Sequence, residues 1–494
     1  MLELKKGSEQ GPHILIVGGG TAGWMSALLL NQQLSEYGVR VSLMESEQIG
    51  TIGVGEGTTP YIRQFFSAIG LSEREWMSEC QATFKCGIRF PSWSDNPEHG
   101  SYFHPFYSGV DKEPGEAFFV NANLRRRGQM AEAQPDRFFL AHYLASQGKA
   151  PKVPDNAFHL DYAYHFDAGL LGQYLKKVGI QRGIRHRLNT IDAVRRHPSG
   201  DIASVITADG EAVAADFFID CTGFASKLLQ QNLGVPFCSF ADNLLNDSAV
   251  AIQLPRDYEQ VLVSETRSEA LSNGWAWRIP LIRRTGFGYV FSSNYQSPDQ
   301  AETELRRYLQ VGDEIPARRL SMKVGRVEKH WQNNCLAVGL SQGFIEPLEA
   351  TALMLVQFTV ERFARALIKG SPEHCFNQEV NRMFDGVRDY IVAHYKTNGR
   401  QDTPYWRDNR EQTPASDRLQ AILDTWRTGA ELEPVLTEME SELVYFRPSW
   451  YCLLAGSGLL PDVPAQPCVG TPASYAERFF RPLAERFTDQ TDYL

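Results

Sequence analysis

Apolar and polar positions near the start of the chain predict a strand, a helix and a second strand in close succession. Residues 13–17 (His-Ile-Leu-Ile-Val) form an apolar run with the length of a buried strand. A helix is expected over residues 24–33, and residues 39–44 (Val-Arg-Val-Ser-Leu-Met) form the next strand. This order favours two parallel strands joined by a crossing helix, and therefore an α/β fold.

The later part of the chain is predicted to be mostly helical. Residues 334–341 read as a buried strand that ends in a glycine turn, and an apolar helix follows over residues 353–368. Residues 377–396 carry apolar side chains at helical spacing, which predicts an amphipathic helix packed on the core. Residues 403–407 are expected to form a loop before helical structure resumes at residues 416–428.

Composition excludes several classes of partner. The 494 residues are 43% hydrophobic with a net charge of -10, so the chain can bury a large core and lacks a basic surface for nucleic acid or anionic membranes. The eight cysteines are scattered without a C-x-x-C pair, which predicts reduced thiols, no metal site and a cytoplasmic location. No apolar run reaches the ~18 residues of a membrane span, and the first residues are too polar for a signal peptide.

A glycine-rich turn directly after the first strand has the spacing of a dinucleotide-binding motif. Glycines allow a tight turn and a close approach of the backbone to a pyrophosphate, whose charge the helix N-terminus attracts. An acidic residue at the end of the second strand can bind ribose hydroxyls. The residues predicted to bind the dinucleotide here are Gly18, Gly20, Thr21, Ala22, Gly23 and Glu45.

Further glycine-containing stretches indicate that the dinucleotide is FAD. Residues 50–60 are rich in glycine, and we interpret them as a backbone strap over the cofactor that includes Gly55, with a surface loop as the alternative. Gly339 follows the strand within residues 334–341, and residues 215–223 form another strand and glycine turn. No second nucleotide fingerprint follows, so a tightly held FAD is favoured over a separate NAD(P)H domain, and reducing electrons must come from outside the chain.

Residues 343–352 (Gly-Phe-Ile-Glu-Pro-Leu-Glu-Ala-Thr-Ala) deliver carboxylates and a hydroxyl to the start of the helix predicted at 353–368. Free backbone N–H groups and the helix dipole favour a bound anion at such a place. The sequence therefore predicts an anion site beside the cofactor.

Two motifs together carry a resemblance to a known family. Trp275-Ala276-Trp277-Arg278-Ile279-Pro280 has the form W-x-W-x-I-P, and it accompanies the glycine motif at residues 18–23. On these residues the chain resembles the flavin-dependent tryptophan halogenases over essentially its full length. The resemblance implies that Trp275 and Trp277 keep the organic substrate away from the flavin.

The resemblance also implies an architecture for the whole chain as one unit. We expect an FAD-binding, Rossmann-like module of the flavoprotein monooxygenase type and a mostly helical substrate-binding module. The FAD module would be discontinuous, over approximately residues 10–90, 159–235 and 275–370. The substrate module would comprise approximately residues 91–158 and 371–494.

Catalytic and binding roles follow from the same resemblance. Lys85 matches the lysine that holds or activates hypohalous acid, either by hydrogen bonding or as a haloamine. It lies in an alternating apolar segment typical of an inward-pointing side chain. Glu349 matches the glutamate that stabilises the cationic ring intermediate or removes its proton, whereas Glu346 is interpreted as a structural residue of the turn. The remaining implied contacts are Thr351 and Ala352 for the halide, and His104, Phe106 and Ile88 for the aromatic substrate.

The chain departs from the family pattern at two places. Ala352 stands where tryptophan halogenases have glycine, which leads to the hypothesis of a halide site shifted towards bromide. Residues 431–440 lack the tyrosine pair that grips the amino-acid part of tryptophan in the family. Glu440 is either the counterpart of the family's ammonium-binding glutamate or a carboxylate on a helix surface.

These observations predict an FAD-dependent halogenase that uses reduced FAD, oxygen and bromide or chloride. Its expected substrate is indole, an indole derivative or another electron-rich aromatic rather than free tryptophan, and its expected partner is a flavin reductase. A homodimer is one option for its assembly. A flavoprotein aromatic monooxygenase and a non-catalytic FAD-binding protein are the alternative functions.

Overall fold

A parallel sheet near the N-terminus carries the glycine-rich turn. The computed structural model describes residues 4–8, 11–47, 55–153, 158–440, 444–462 and 467–494. The strands in chain order are β1 His13–Val17, β2 Arg40–Glu45, β3 Gly55–Gly57, β4 Thr83–Lys85, β5 Gly87–Pro91, β6 Ser101–Pro105, β7 Ala163–Asp167, β8 Arg185–Leu188, β9 Ile191–Arg196, β10 Ile202–Thr207, β11 Ala212–Ala214, β12 Phe217–Asp220, β13 Phe237–Ser239, β14 Ser248–Pro255, β15 Glu265–Leu271, β16 Gly274–Pro280, β17 Arg284–Phe291, β18 Ala317–Ser321, β19 Gly325–Val327, β20 Trp331–Gln332, β21 Cys335–Ala337 and β22 Gly343–Phe344.

Helices cover this sheet and make up most of the chain's last third. They are α1 Thr21–Gln33, α2 Ile62–Ala68, α3 Glu73–Glu79, α4 Lys112–Arg126, α5 Leu140–Ser146, α6 Ala168–Gln181, α7 Pro298–Leu309, α8 Ala352–Lys369, α9 Glu373–Lys396, α10 Pro404–Glu411, α11 Asp417–Thr428, α12 Leu432–Glu438, α13 Arg447–Gly456, α14 Ala473–Ala484 and α15 Gln490–Tyr493. Among the described helices, none is long and apolar enough to cross a membrane.

The first sheet has the order β20-β21-β12-β1-β2-β8, and its pairs are parallel except β20 with β21. Strand β1 lies between β2 and β12, with Ile14 opposite both Val41 and Phe217. The apolar run of β1 is buried because strands flank it on both sides and α1 packs across the sheet. The predicted α/β class and the strand–helix–strand unit are confirmed.

A seven-stranded sheet of order β18-β14-β17-β16-β15-β5-β6 forms the second layer. Its strands are antiparallel apart from the β15–β5 pair. Strands β5 and β6 pair across the predicted module boundary near residue 90, so the two predicted modules would share this sheet. A small sheet of order β3-β7-β4 lies beside it and carries Lys85 at its edge.

One local prediction is wrong. Residues 403–407 were expected as a loop, but Thr403 is extended and Pro404 opens the helix α10. Proline is favourable at the first helical position because its missing N–H would have no partner there. Tyr405 and Trp406 are both fully buried in this helix, so its tertiary contacts outweigh the helix-breaking tendency of proline.

Candidate active site

A large cavity opens at the carboxyl ends of β1 and β2. It has a volume of about 810 Å³ and reaches from the glycine turn to Lys85 and the start of α8. This volume lies within the range of cofactor pockets. Of the predicted cofactor residues, those that line the cavity are Gly18, Gly20, Thr21, Ala22, Glu45, Gly55 and Gly339.

The glycine turn is built for close approach of backbone. Gly18 has φ +114, and a Cβ at this position would lie 2.1 Å from the carbonyl oxygen of Cys221. Gly23 does not line the cavity. A Cβ there would lie 1.9 Å from the carbonyl oxygen of Gly18, so a side chain at this position would prevent the close packing within the turn. Helix α1 begins directly after Gly20 without a side-chain cap, which leaves its first N–H groups available to a phosphate.

Glu45 lies at the end of β2, where the motif predicts it. Its Oε1 atom accepts hydrogen bonds from Lys176 Nζ and His186 Nε2, both at 2.7 Å. Residues 50–54, the first part of the predicted strap, lie outside the described residues. The following Gly55–Gly57 form β3, pair with β7 and line the cavity.

The two tryptophans of the W-x-W-x-I-P motif both line the cavity from β16. Their ring centroids are 6.3 Å apart. Gly288 is opposite Trp277, and a Cβ there would lie 2.0 Å from the indole ring, so the neighbouring strand leaves the space that this ring fills. Trp275 and Trp277 thus form one wall of the cavity.

Glu346 ties this wall to the turn that carries Glu349. Its Oε2 atom accepts hydrogen bonds from Asn246 Nδ2 at 2.7 Å, Tyr395 Oη at 2.9 Å and Trp275 Nε1 at 3.3 Å. Burial raises the pKa of Glu346 to about 7, against the effect of these donors. The contacts agree with the interpretation of Glu346 as a structural residue.

Lys85 is the last residue of β4 and is fully buried, as its alternating sequence context predicts. Its Nζ atom donates to the carbonyl oxygen of Thr58 at 3.0 Å and lies 5.5 Å from the ring centroid of Phe106. Burial lowers the pKa of Lys85 to about 7, and the negative charge of Glu349 acts in the opposite direction. Lys85 lines the cavity, so its amino group faces both the cofactor space and the predicted substrate side.

Glu349 is also buried, and its carboxylate has a fixed partner. Oε1 accepts a hydrogen bond from His394 Nε2 at 2.8 Å, and Tyr102 Oη lies 3.2 Å from His394 Nδ1. Burial alone would raise the pKa of Glu349, but His104, His394 and Lys85 together lower it below its usual value. The carboxylate form is therefore the one that the site favours.

The predicted halide turn lies between Glu349 and α8. Ala350 has φ +55, a left-handed conformation that costs an L-residue about 1–2 kcal/mol. Thr351 is buried and precedes α8, while Ala352 is the first residue of the helix and lines the cavity. The strained position is thus Ala350, and the methyl group of Ala352 occupies an ordinary helical position.

The three predicted substrate residues lie together. Ile88 on β5 is directly opposite His104 on β6, so both side chains share one face of the sheet. Phe106 follows β6, and its backbone N–H donates to the carbonyl oxygen of Cys86 at 3.0 Å. His104 Nε2 lies 2.8 Å from Tyr390 Oη, and burial lowers the pKa of this histidine.

Helix α9 and the segment before α13 contribute residues that the sequence did not indicate. Tyr390 and His394 are one helical turn apart on α9 and contact His104 and Glu349, respectively. Tyr445 stacks on Tyr390 with ring centroids 3.6 Å apart. The sequence signal that could have identified them is the i, i+4 spacing of Tyr390 and His394 on the apolar face of α9. That face was interpreted only as packing on the core.

The residues present fit FAD. The cavity has the required volume, its glycines leave room for backbone contact, and α1 offers free N–H groups at one end. No cluster of metal-ligating side chains occurs among the described residues. Gly18, Gly20, Thr21 and Ala22 would hold the pyrophosphate, and the bound cofactor would supply the oxidation of halide by oxygen.

Comparison with known proteins decides the family. The chain matches the tryptophan halogenase family model over residues 13–472. It belongs to the tryptophan halogenase family. Tryptophan 6-halogenase SttH of Streptomyces toxytricini is 35% identical, with 96% of this chain and 94% of that protein covered. Tryptophan 7-halogenase RebH of Lentzea aerocolonigenes is 34% identical, with 92% and 90% covered.

A solved structure supports the same assignment at the level of the fold. BrvH, a flavin-dependent halogenase from Brevundimonas sp. BAL3, superposes with a TM-score of 0.82 at 31% identity, with 98% of this chain and 99% of that chain covered. The chain is therefore a flavin-dependent halogenase. Membership of the tryptophan halogenase family implies FAD, a halide, an aromatic substrate and a flavin reductase that supplies reduced FAD.

Proposed function

We propose that the chain halogenates indole or a simple indole derivative in preference to free tryptophan. The observation that carries this proposal is that residues 431–440 lack the tyrosine pair with which the family would bind the amino-acid part of tryptophan. Residues 431–440 contain no tyrosine, and Glu440 is exposed two residues after the end of α12. Without these groups, the ammonium and carboxylate of tryptophan would lose water without gaining partners.

Apolar and aromatic side chains lie beside the proposed catalytic pair, as an aromatic substrate would require. Ile88, His104 and Phe106 form an apolar and aromatic surface next to Lys85 and Glu349. In the proposed reaction, Lys85 holds hypohalous acid by hydrogen bonding. Glu349 then stabilises the positive charge that develops on the ring and takes the proton that leaves it.

The preference for indole has a direct test. Purified protein with FAD, a flavin reductase, NADH, oxygen and bromide is offered indole and tryptophan in separate reactions, and products are quantified by mass spectrometry. We expect kcat/KM for indole to exceed that for tryptophan by at least about tenfold, since a single unpaired polar group costs roughly 1–3 kcal/mol. Equal or better regioselective halogenation of tryptophan would refute the proposed substrate, while leaving halogenase activity established.

We also propose that the halide site favours bromide. The turn at residues 350–352 combines a left-handed Ala350 with Ala352 in place of the family's glycine. Bromide loses its hydration more easily than chloride, so a site whose backbone donors are less adaptable should discriminate towards it. In a competition assay with equimolar halides, we expect brominated product to predominate by about tenfold or more, and an Ala352→Gly variant to reduce that ratio. Equal use of both halides by the native protein would contradict this proposal.

A further inference from the structure

A chain of hydrogen bonds near Lys85 runs from Pro280 through Thr83 and His165 to Thr266. The donor and acceptor of each bond can be assigned by starting at Pro280. Thr83 Oγ1 lies 2.7 Å from the carbonyl oxygen of Pro280, which can only accept, so the threonine hydroxyl donates its proton there. The oxygen of Thr83 is then free to accept. His165 Nδ1 lies 3.1 Å from it and must carry the hydrogen of that bond.

The tautomer of His165 fixes the next link. His165 is fully buried, and burial together with the nearby Lys85 lowers its pKa well below the usual value, so the ring is neutral. A neutral ring protonated at Nδ1 has a bare Nε2 atom. Thr266 Oγ1 lies 2.8 Å from this atom and therefore donates its proton to it. The Thr266 hydroxyl thus presents only lone pairs to any other neighbour.

The Thr266 hydroxyl oxygen, which carries these lone pairs, lies near Lys85. Lys85 Nζ and Thr266 Oγ1 each lie 3.4 Å from the point that a Cβ on Gly57 would occupy, and His165 Cδ2 lies 3.5 Å from it. Gly57, Lys85 and Thr266 all line the cavity. The absence of a side chain at Gly57 therefore leaves a space the size of a methyl group between a hydrogen-bond donor and an oriented acceptor.

This space is close to the predicted aromatic site. In the seven-stranded sheet, Thr266 on β15 is the register partner of Ile88 on β5, which is the register partner of His104 on β6. The three residues form one row across neighbouring strands, and strands lie ~4.8 Å apart. A small molecule held at Thr266 would be within about two strand spacings of the substrate residues.

We propose that Lys85 and Thr266 together hold hypohalous acid, with Lys85 donating to its oxygen and Thr266 accepting its O–H. This inference rests on the halogenase activity of the chain and adds an acceptor to the role proposed for Lys85. Hypohalous acid offers one acceptor oxygen and one O–H donor, and with both engaged only the halogen end remains free to react. His165 is a positioning residue, because it forces Thr266 to accept.

The test measures how long the protein retains the oxidant. In single-turnover reactions with reduced FAD, oxygen and bromide, but no aromatic substrate, escaping oxidant is trapped by a soluble bromine-accepting dye. We expect Thr266→Val to shorten the half-life of dye bromination about tenfold, since one partner of a buried hydrogen bond is lost. Thr266→Ser keeps the hydroxyl and should stay within about twofold of the native protein. Because no substrate is added, the result does not depend on whether indole is the substrate.

A second variant fills the space instead of removing the acceptor. In Gly57→Ala, the new methyl group would meet its neighbours at 3.4–3.5 Å, which is ordinary contact, so the protein should fold and bind FAD. We expect the same early escape of oxidant and a matching loss of halogenated product once substrate is present. Native retention of oxidant in Thr266→Val, or equal loss in Thr266→Ser, would overturn the proposal. Native retention in a Gly57→Ala protein that binds FAD normally would also overturn it.

Discussion

Replacing Lys85 by methionine should lower halogenation by about 10³-fold, while FAD binding stays intact. Methionine has nearly the same length and an apolar end, so it fills the buried position without leaving a cavity. What it removes is the only group of Lys85 that can bind an oxidant, the Nζ atom that donates to Thr58 and faces the cavity. The predicted cofactor residues Gly18, in the turn after β1, and Glu45, at the end of β2, are on other elements and should be unaffected.

The measurement is halogenated product per reduced flavin, quantified by mass spectrometry beside flavin reoxidation. Lys177→Met is the matched control, because Lys177 is an exposed lysine whose partner Glu79 is also exposed. The control should retain native activity. A Lys85→Met protein that keeps more than about a tenth of the native yield would contradict the assignment.

The same variant should change how stability depends on pH. Burial lowers the pKa of Lys85 to about 7, whereas in the unfolded chain it returns to about 10.5. Between these values the unfolded chain holds a proton that the folded chain has released, so the free energy of unfolding rises with pH. Urea titrations from pH 7 to 9 should therefore show the native protein gaining up to ~1.4 kcal/mol per pH unit relative to Lys85→Met. A constant difference between the two proteins over this window would contradict the lowered pKa.

The sequence predicted those parts of the fold whose signals are local. The apolar run of β1, the glycine turn and Glu45 identify one another by spacing, and the structure places them at one end of the parallel sheet. The alternating context of Lys85 correctly indicated a buried side chain. The helix after the halide turn begins at Ala352, within a residue of its predicted start. In each case neighbours in sequence determine the outcome.

The contacts that the sequence could not indicate join distant parts of the chain. His394 reaches Glu349 from α9, and Tyr390 on the same helix reaches His104 on β6. The periodicity of residues 377–396 correctly predicts a buried face, but it cannot distinguish packing from hydrogen bonding to a carboxylate. Thr266 and His165 were missed for a related reason, since the direction of their hydrogen bonds is apparent only once Thr83 and Pro280 are in place.

Replacing Glu349 by glutamine should lower kcat by at least about 10²-fold with little change in KM. The amide has nearly the same shape and its oxygen can still accept from His394, so the turn before α8 should keep its position. It carries no negative charge, however, and is too weak a base to take the proton from the ring intermediate. A change in kcat without a change in KM would indicate an interaction made mainly in the transition state.

The control for this variant is Glu361→Gln on α8, because the Glu361 carboxylate also accepts hydrogen bonds from side chains, those of Tyr61 and Gln357, and has no part in the proposed reaction. It should keep native kcat. Glu349→Asp should be intermediate, since it retains the charge but withdraws it by one methylene group from His394. Since His104, His394 and Lys85 lower the pKa of Glu349 below its usual value, its carboxylate form persists through neutral pH, and its protonation should lower kcat only at acid pH. A Glu349→Gln enzyme within threefold of native kcat would mean that another base removes the proton, and His394, already in contact with this carboxylate, would be the next residue to replace.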